Sequence, residues 1–288
     1  MEKERRNKYF RYLLRGLLIF TGAIVVWGAL VEPNLLTVRH ARVTLPGLPA
    51  KLEGVRVLLV ADTHFGSSWF EKLRRDRILK AAEAQKGDLI FLLGDYIAAG
   101  SLPRYGAMEE KELKHFFSSL KAPLGTYAIL GNHELWYGRK KMSDLLESSG
   151  VRMIENKTVL IKDALTVTGI PEGSTVPFDR KAFSKRLAEE KPLILLTHKG
   201  DMVKYLTFPS STLTFAADTH GGQVRLPGIG APVNYQMKRK ELSPGLSERW
   251  GKRIFVTTGA GGHRLNFRLF CPPEIALVTL TNGKLKQI

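Results

Sequence analysis

Short apolar runs recur along the chain at Val55–Ala61, Leu89–Leu93, Tyr127–Leu130, Leu193–Leu196 and Leu213–Ala217. Runs of this length, rich in branched and aromatic side chains, predict strands buried on both faces. Amphipathic stretches between them predict helices at Arg74–Gln85, Glu109–Leu120 and Lys140–Ser148. The alternation then breaks into short strands near Arg152–Ile154, Thr158–Ile161 and Leu165–Thr168, and later strands at Arg253–Thr257 and Ile275–Thr281 add to a second sheet. The Gly- and Pro-containing stretch Arg225–Leu246 reads as a loop near the mouth of a site.

A different pattern opens the chain. Residues 1–12 form a basic tail, and Leu13–Val31 is apolar apart from Arg15. Those nineteen residues span roughly 28 Å as a helix, against a bilayer core of about 30 Å. Arg15 sits near one end, where its side chain reaches the headgroups. Six basic side chains precede Gly16, with Arg39 and Arg42 soon after the stretch, so the amino terminus is expected on the cytoplasmic side. The rest of the chain would then lie on the outer face of the inner membrane, with 32–50 a connector and 51–288 one catalytic domain. A cleaved signal peptide is the rival reading, but the apolar stretch is long and lacks small residues at the cleavage spacing before Glu32.

Each apolar run ends in side chains that bind metals. They are Asp62-Thr63-His64, Gly94-Asp95, Gly131-Asn132-His133-Glu134, Thr197-His198 and Asp218-Thr219-His220. The carboxyl ends of strands are where open α/β sheets build their sites. Asp and Asn offer hard oxygens and His offers imidazole nitrogen, a set that suits Mn, Fe or Zn. In a two-metal site the ions sit about 3.5–4 Å apart, so one carboxylate bridges them, and Asp95 fits that place. Asp62 and His64, like Asp218 and His220, are two residues apart and would share one side of a strand end. Asn132 can reach a metal while His133, pointing elsewhere, faces the substrate as a general acid. Taken singly, each motif is more often a turn or a core histidine; together, in this order, they make a metal site. Of the remaining histidines, His40, His115 and His263 have no metal-like neighbours, and His115 reads as partly buried packing.

This ordered set resembles the calcineurin-like metallophosphoesterase family over roughly residues 55–222. Within the family the membrane-associated phosphodiesterase branch is most similar, extending to the Arg268-Leu-Phe-Cys-Pro-Pro-Glu-Ile segment. The resemblance implies a four-layer αββα sandwich of two mixed sheets flanked by helices. It implies that Asp62, His64, Asp95 and His220 hold one ion, and that Asp95, Asn132, His198 and residue 218 hold the other. His133 would contact the phosphate or protonate the leaving group, and Lys199, Arg225 and Arg268 are candidate substrate contacts. One position departs from the pattern, since Asp218 stands where the family has an imidazole. Asp218 either ligates the second ion through oxygen, which suits Mn and Mg, or binds it through a water, or leaves that site empty. A carboxylate there lowers the site's charge by one unit and weakens its pull on an anion.

Composition then narrows the partners. The single cysteine, Cys271, excludes an intrachain disulfide. Of the formal charge of +17, the first 31 residues supply four, leaving thirteen on the rest. Basic segments at Glu71–Lys86, Phe178–Lys191 and Met237–Lys252 beside an anchor favour an anionic lipid surface over nucleic acid. The expected protein is a membrane-anchored phosphoesterase with two divalent ions, Mn above Fe or Zn, whose bridging hydroxide attacks a phosphodiester or pyrophosphate of a lipid-linked or cell-envelope substrate. Relatives that cleave the pyrophosphate of a nucleotide-linked diacyl sugar offer one alternative. Their reaction faces the cytoplasm, which opposes the expected topology unless the first helix lies along the membrane. A non-catalytic binding protein, kept open by Asp218, is the other.

Overall fold

The computed structural model describes residues 2–66, 68–98, 108–172, 178–188, 190, 192–232, 242–262 and 266–283. Most of the basic segment Met237–Lys252 is described only from residue 242 onward, and His263 lies outside the described residues. Two six-stranded mixed sheets pack face to face. The first contains β1 (Thr37–Thr44), β2 (Arg56–Val60), β3 (Leu89–Leu92), β4 (Thr126–Ala128), β5 (Arg152–Met153) and β12 (Glu274–Thr281), in the order β1-β12-β2-β3-β4-β5. The second contains β6 (Thr158–Ile161), β7 (Leu165–Gly169), β8 (Leu193–Lys199), β9 (Leu213–Ala217), β10 (Gly245–Arg249) and β11 (Lys252–Val256), in the order β10-β11-β9-β8-β7-β6. Strands β2, β3, β4 and β5 run parallel, as do β7, β8, β9 and β11.

The period-two geometry of a strand explains why these runs are apolar throughout. Val57 and Leu59 of β2, Leu89 and Phe91 of β3, and Ile194 and Leu196 of β8 enter the core between the sheets. The alternate residues Leu58, Val60, Ile90 and Leu92 face the helices outside the first sheet. Leu193 and Leu195 face the layer outside the second. The outer layer of the first sheet holds α2 (Trp69–Gln85), α3 (Glu110–Ser119) and α5 (Arg139–Ser148), with the one-turn α4 (Glu134–Tyr137) between them in sequence. On the second sheet the outer layer is α6 (Arg180–Leu187). This is the expected αββα sandwich. Phe215 joins the sheets at the centre, with ring centroids 5.9 Å from Phe91 and 6.0 Å from Phe255.

Two stretches differ from the sequence reading. Residues 37–44, placed in the connector, form β1 and pair with β12 over eight residues in register. Only Val43 of that strand is buried, and the exposed or half-exposed His40, Arg39 and Arg42 mask its alternation. Charged side chains on an edge strand also block pairing with a second sheet. The folded domain therefore begins before residue 51. The loop assigned to Arg225–Leu246 also ends sooner than expected, because β10 starts at Gly245. His115 is exposed rather than partly buried; its neighbours Phe116 and Phe117 take the core positions.

Helix α1 (Glu2–Val26) continues through a wide turn at Trp27–Val31 and a tight turn at Glu32–Asn34. It takes in the basic tail as well as the apolar stretch. By length and composition, Glu4–Asn34 is able to cross a membrane, and its most apolar window is only 6% buried. A helix this apolar and this exposed is not a core helix.

Phe91→Ala removes the fully buried ring between Tyr127 and Phe215. It is expected to cost about 3–5 kcal/mol, read as a lower midpoint in denaturant with little change in slope.

Candidate metal centre

The metal-binding side chains converge where the carboxyl ends of both sheets meet. Asp62 and His64 follow β2, Asp95 follows β3, and Asn132 and His133 follow β4. His198 lies near the end of β8, while Asp218 and His220 follow β9. Convergence does not come from the strand pleat, as the sequence suggested. Asp62 (φ 50°), His64 (φ 44°), Asp95 (φ 55°), Asp218 (φ 68°) and His220 (φ 48°) all have left-handed backbones. That conformation costs an L-residue on the order of 1 kcal/mol or more, so the surrounding packing holds the strain at the site. Gly131 illustrates the fit, because a Cβ there would lie 2.1 Å from Asp95 Oδ1.

Asp95 is at the centre. Its Oδ1 accepts the His133 backbone N–H at 2.9 Å. Its Oδ2 lies 3.3 Å from His198 Nε2, 3.7 Å from His64 Nε2 and 3.9 Å from His133 Nε2. Burial would raise this carboxyl, but the three imidazoles outweigh it and hold Asp95 well below the usual carboxylate range. Around it, Asp62, His64 and His220 form one group able to hold an ion, and Asp62, Asp95 and His198 form another. His64 Nε2 and His220 Nε2 face each other at 3.1 Å. Asp218 Oδ1 lies 3.4 Å from His198 Nε2, so the residue that departs from the family pattern still presents an oxygen to the site.

The donor atoms test whether these residues suit a cation. His198 Nδ1 is 2.8 Å from the Leu93 carbonyl and donates to it, which leaves Nε2 as a lone-pair donor toward the site. Asp62 Oδ1, Asn132 Oδ1 and His198 Nε2 are buried and have no hydrogen-bond partner. Buried oxygens without a donor are costly unless a cation compensates them. The residues fit divalent metal. His133 is the more open member, with 19% of its side chain exposed against 1–5% for His64, Asp95, His198 and Asp218. It therefore lies at the mouth.

Support behind these ligands was only partly legible in sequence. Glu134, named in its motif without a role, is fully buried. Its carboxylate accepts the backbone N–H groups of Asp95 (2.9 Å), Tyr96 (2.8 Å) and Gly131 (2.7 Å), tying the loop after β3 to the loop after β4. Arg268, proposed from sequence as a substrate contact, is fully buried instead. Its guanidinium donates to the carbonyls of Cys271 (3.0 Å), Thr258 (2.9 Å) and Gly261 (2.7 Å), and Nη2 lies 3.3 Å from His220 Nδ1. It supports a ligand from behind; only chain folding brings residues 220 and 268 together. Lys199 is paired with Glu172. Arg225 is half-buried and donates to the Gly221 carbonyl at 3.1 Å, beside His220.

The sequence profile of the calcineurin-like phosphoesterase family matches residues 55–225. The chain belongs to that family and is a metal-dependent phosphoester hydrolase by fold and site. An uncharacterised metallophosphoesterase of Aquifex aeolicus is 28% identical over 87% of this chain and 94% of its own length. The UDP-2,3-diacylglucosamine pyrophosphatase LpxG of Chlamydia muridarum is 24% identical, over 88% of this chain and 92% of its own. The phosphodiesterase YaeI of Escherichia coli is 29% identical, over 78% and 82%.

Two expectations follow. In metal-free protein, burial reinforced by Asp95 pushes Asp62 up to about 7 against the pull of His198. Burial opposes charge on His198, yet Asp95, Asp62 and Glu172 push its ring up to about 10. A metal must displace the His198 proton between those values and the Asp62 proton as well below them. Apparent affinity is expected to rise about tenfold per pH unit above pH 7 and more steeply below it, as metal titrations from pH 5.5 to 8.5 would show. Glu134→Gln replaces an oxygen by an N–H donor facing backbone N–H groups. It is expected to weaken metal binding by about 10–100-fold, measured by calorimetry.

Proposed function

We propose that this hydrolase is a membrane-anchored phosphodiesterase or pyrophosphatase that acts on a lipid-linked phosphate with two Mn ions. The observation that carries the two-metal reading is Asp218 Oδ1, 3.4 Å from His198 Nε2. His198 Nε2 in turn lies 3.3 Å from Asp95 Oδ2, which supports Asp218 as an oxygen ligand beside them. Two ions would supply Lewis acidity and an activated water. Asp62, His64, Asp95 and His220 would hold one, and Asp95, Asn132, His198 and Asp218 the other. Oxygen ligands at the second favour Mn over softer metals.

The chain's own residues then divide the remaining work. Asp95 fixes the spacing of the two halves through Oδ2, while its Oδ1 holds the His133 backbone in place. Asn132 Oδ1 is buried and has no competing hydrogen bond. His133, at the mouth, would face the leaving oxygen as a general acid. Arg225 adds a positive charge beside the ligand loop through its bond to Gly221. The apolar helix Glu4–Asn34 supports the anchor, and the six basic residues before and near its start support a cytoplasmic amino terminus. A lipid substrate agrees with the net charge of +17 and an anionic membrane surface as partner. The names of the chlamydial and E. coli relatives support a pyrophosphate or phosphodiester linkage.

Hydrolysis of bis(p-nitrophenyl) phosphate under Mn titration is the test. Native turnover that falls more than about a hundredfold in Asp95→Asn is expected, with Asp218→His remaining active. No native turnover, together with activity gained in Asp218→His, would mean that the second site has decayed and that the protein works by binding.

A further inference from the structure

The carboxyl-terminal end of the apolar helix is built into the metal centre's wall. Gly28 O accepts the Arg268 backbone N–H at 2.8 Å. Gly28 packs against the Phe267 ring so closely that a Cβ there would lie 2.4 Å from it. Glu32, only 4% exposed, accepts from Trp27 Nε1 at 2.9 Å through one oxygen and from the Cys271 backbone N–H through the other. The same 267–271 loop pairs with the segment after His220. Leu269 N donates to Gln223 O and Arg225 N to Leu269 O, both at 2.9 Å. Gln223 N donates to His220 O at 3.0 Å. An unbroken set of backbone contacts therefore runs from the helix end to a metal-ligating residue.

Exposed apolar side chains gather on these same segments. Ile229 is 72% exposed, Phe270 61%, Leu30 67% and Leu35 45%. Leu226 joins them on the loop with Ile229, which the Leu226 and Gly230 backbones close at 2.8 Å. Phe270 is the most telling, since its φ is 52°. A bulky side chain in the left-handed region is strained, and here it carries a ring that is mostly exposed. Basic groups flank the patch: Arg225 beside Leu226, and the exposed Arg77, which donates to the Asn34 carbonyl at 3.3 Å. Apolar side chains with basic residues at their edge, continuous with an apolar helix, match the boundary between headgroups and acyl chains.

We infer that the rim formed by Leu226, Ile229 and Phe270 is a bilayer-contacting surface that sets the mouth of the metal centre on the membrane. It rests on the anchored-hydrolase reading and goes further, because it fixes which face of the domain meets lipid. The phosphate of a lipid headgroup is presented to the metal centre while its acyl chains remain in the bilayer.

Spin labelling of the full chain in phosphatidylethanolamine–phosphatidylglycerol (3:1) nanodiscs tests this. The native Cys271 is buried, so an introduced cysteine takes the label. Ile229→Cys and Phe270→Cys labels are expected to meet oxygen more readily than a water-soluble nickel chelate. An Asp163→Cys label, at the amino end of β7 and so opposite the site, is expected to show the reverse. Phe270→Gly suits the positive φ and removes the ring; it should keep the thermal midpoint and move the 229 label outward by several ångströms. Rim labels as open to nickel as residue 163, or shielded from both reagents by a second copy of the chain, would overturn the surface. Turnover of bis(p-nitrophenyl) phosphate, measured on the same samples, separates the two readings. Retained turnover with rim labels in water leaves the hydrolase and removes the membrane rim. Rim labels in lipid without turnover do the opposite.

Discussion

One buried carboxylate organises this protein. Asp95 faces three imidazoles from three different segments, and no charge of that kind is stable in an apolar interior unless it is compensated. Its two oxygens have separate duties. Oδ1 takes a backbone N–H and so fixes the loop after β4, and Oδ2 is left toward the ligands of both sheets. The His198 ring completes the link, since its Nδ1 hydrogen bond to Leu93 O carries the second sheet's ligand across to the first sheet's third strand. The sandwich core beneath is what holds these two strand ends in place.

Strain and support around that carboxylate are linked. Five of the metal-binding residues have left-handed backbones, which no isolated loop would retain. Glu134 counters this by gathering three backbone N–H groups, and Arg268 by gathering carbonyls from both ends of the β11–β12 connection. The two are opposites: a buried anion collecting donors and a buried cation collecting acceptors. Each bonds to main chain rather than to the other, so each pins loop geometry that side-chain pairing would leave loose. The end of the apolar helix joins the same construction, because Gly28 and Glu32 bond to the loop that carries Arg268. An apolar helix attached in this way is part of the domain's wall rather than a flexible leash.

Much of the fold was legible in the chain's patterning. Buried parallel strands must be apolar on both faces, so β2, β3, β8 and β9 stood out, β9 with its full bounds. The edge strand β1 did not, because a strand buried on little of its surface carries basic residues and reads as a linker. Helix starts were placed late for α2, whose Ser68 cap lies six residues before the first residue assigned to it.

The sequence by itself marked the Asp, Asn and His residues of the candidate metal centre and their order, because the chemistry demands such donors at strand ends and tolerates few substitutes. It also marked an apolar segment long enough for a bilayer. The tertiary structure decided how those residues converge, through left-handed backbones rather than strand pleat. It decided as well that Asp218 presents its oxygen to the second half of the site, and that Arg268 supports His220 instead of meeting substrate. Local patterning records which face of an element is buried. It holds no record of contacts between positions 48 residues apart, such as 220 and 268, since those are set only when the whole chain has packed.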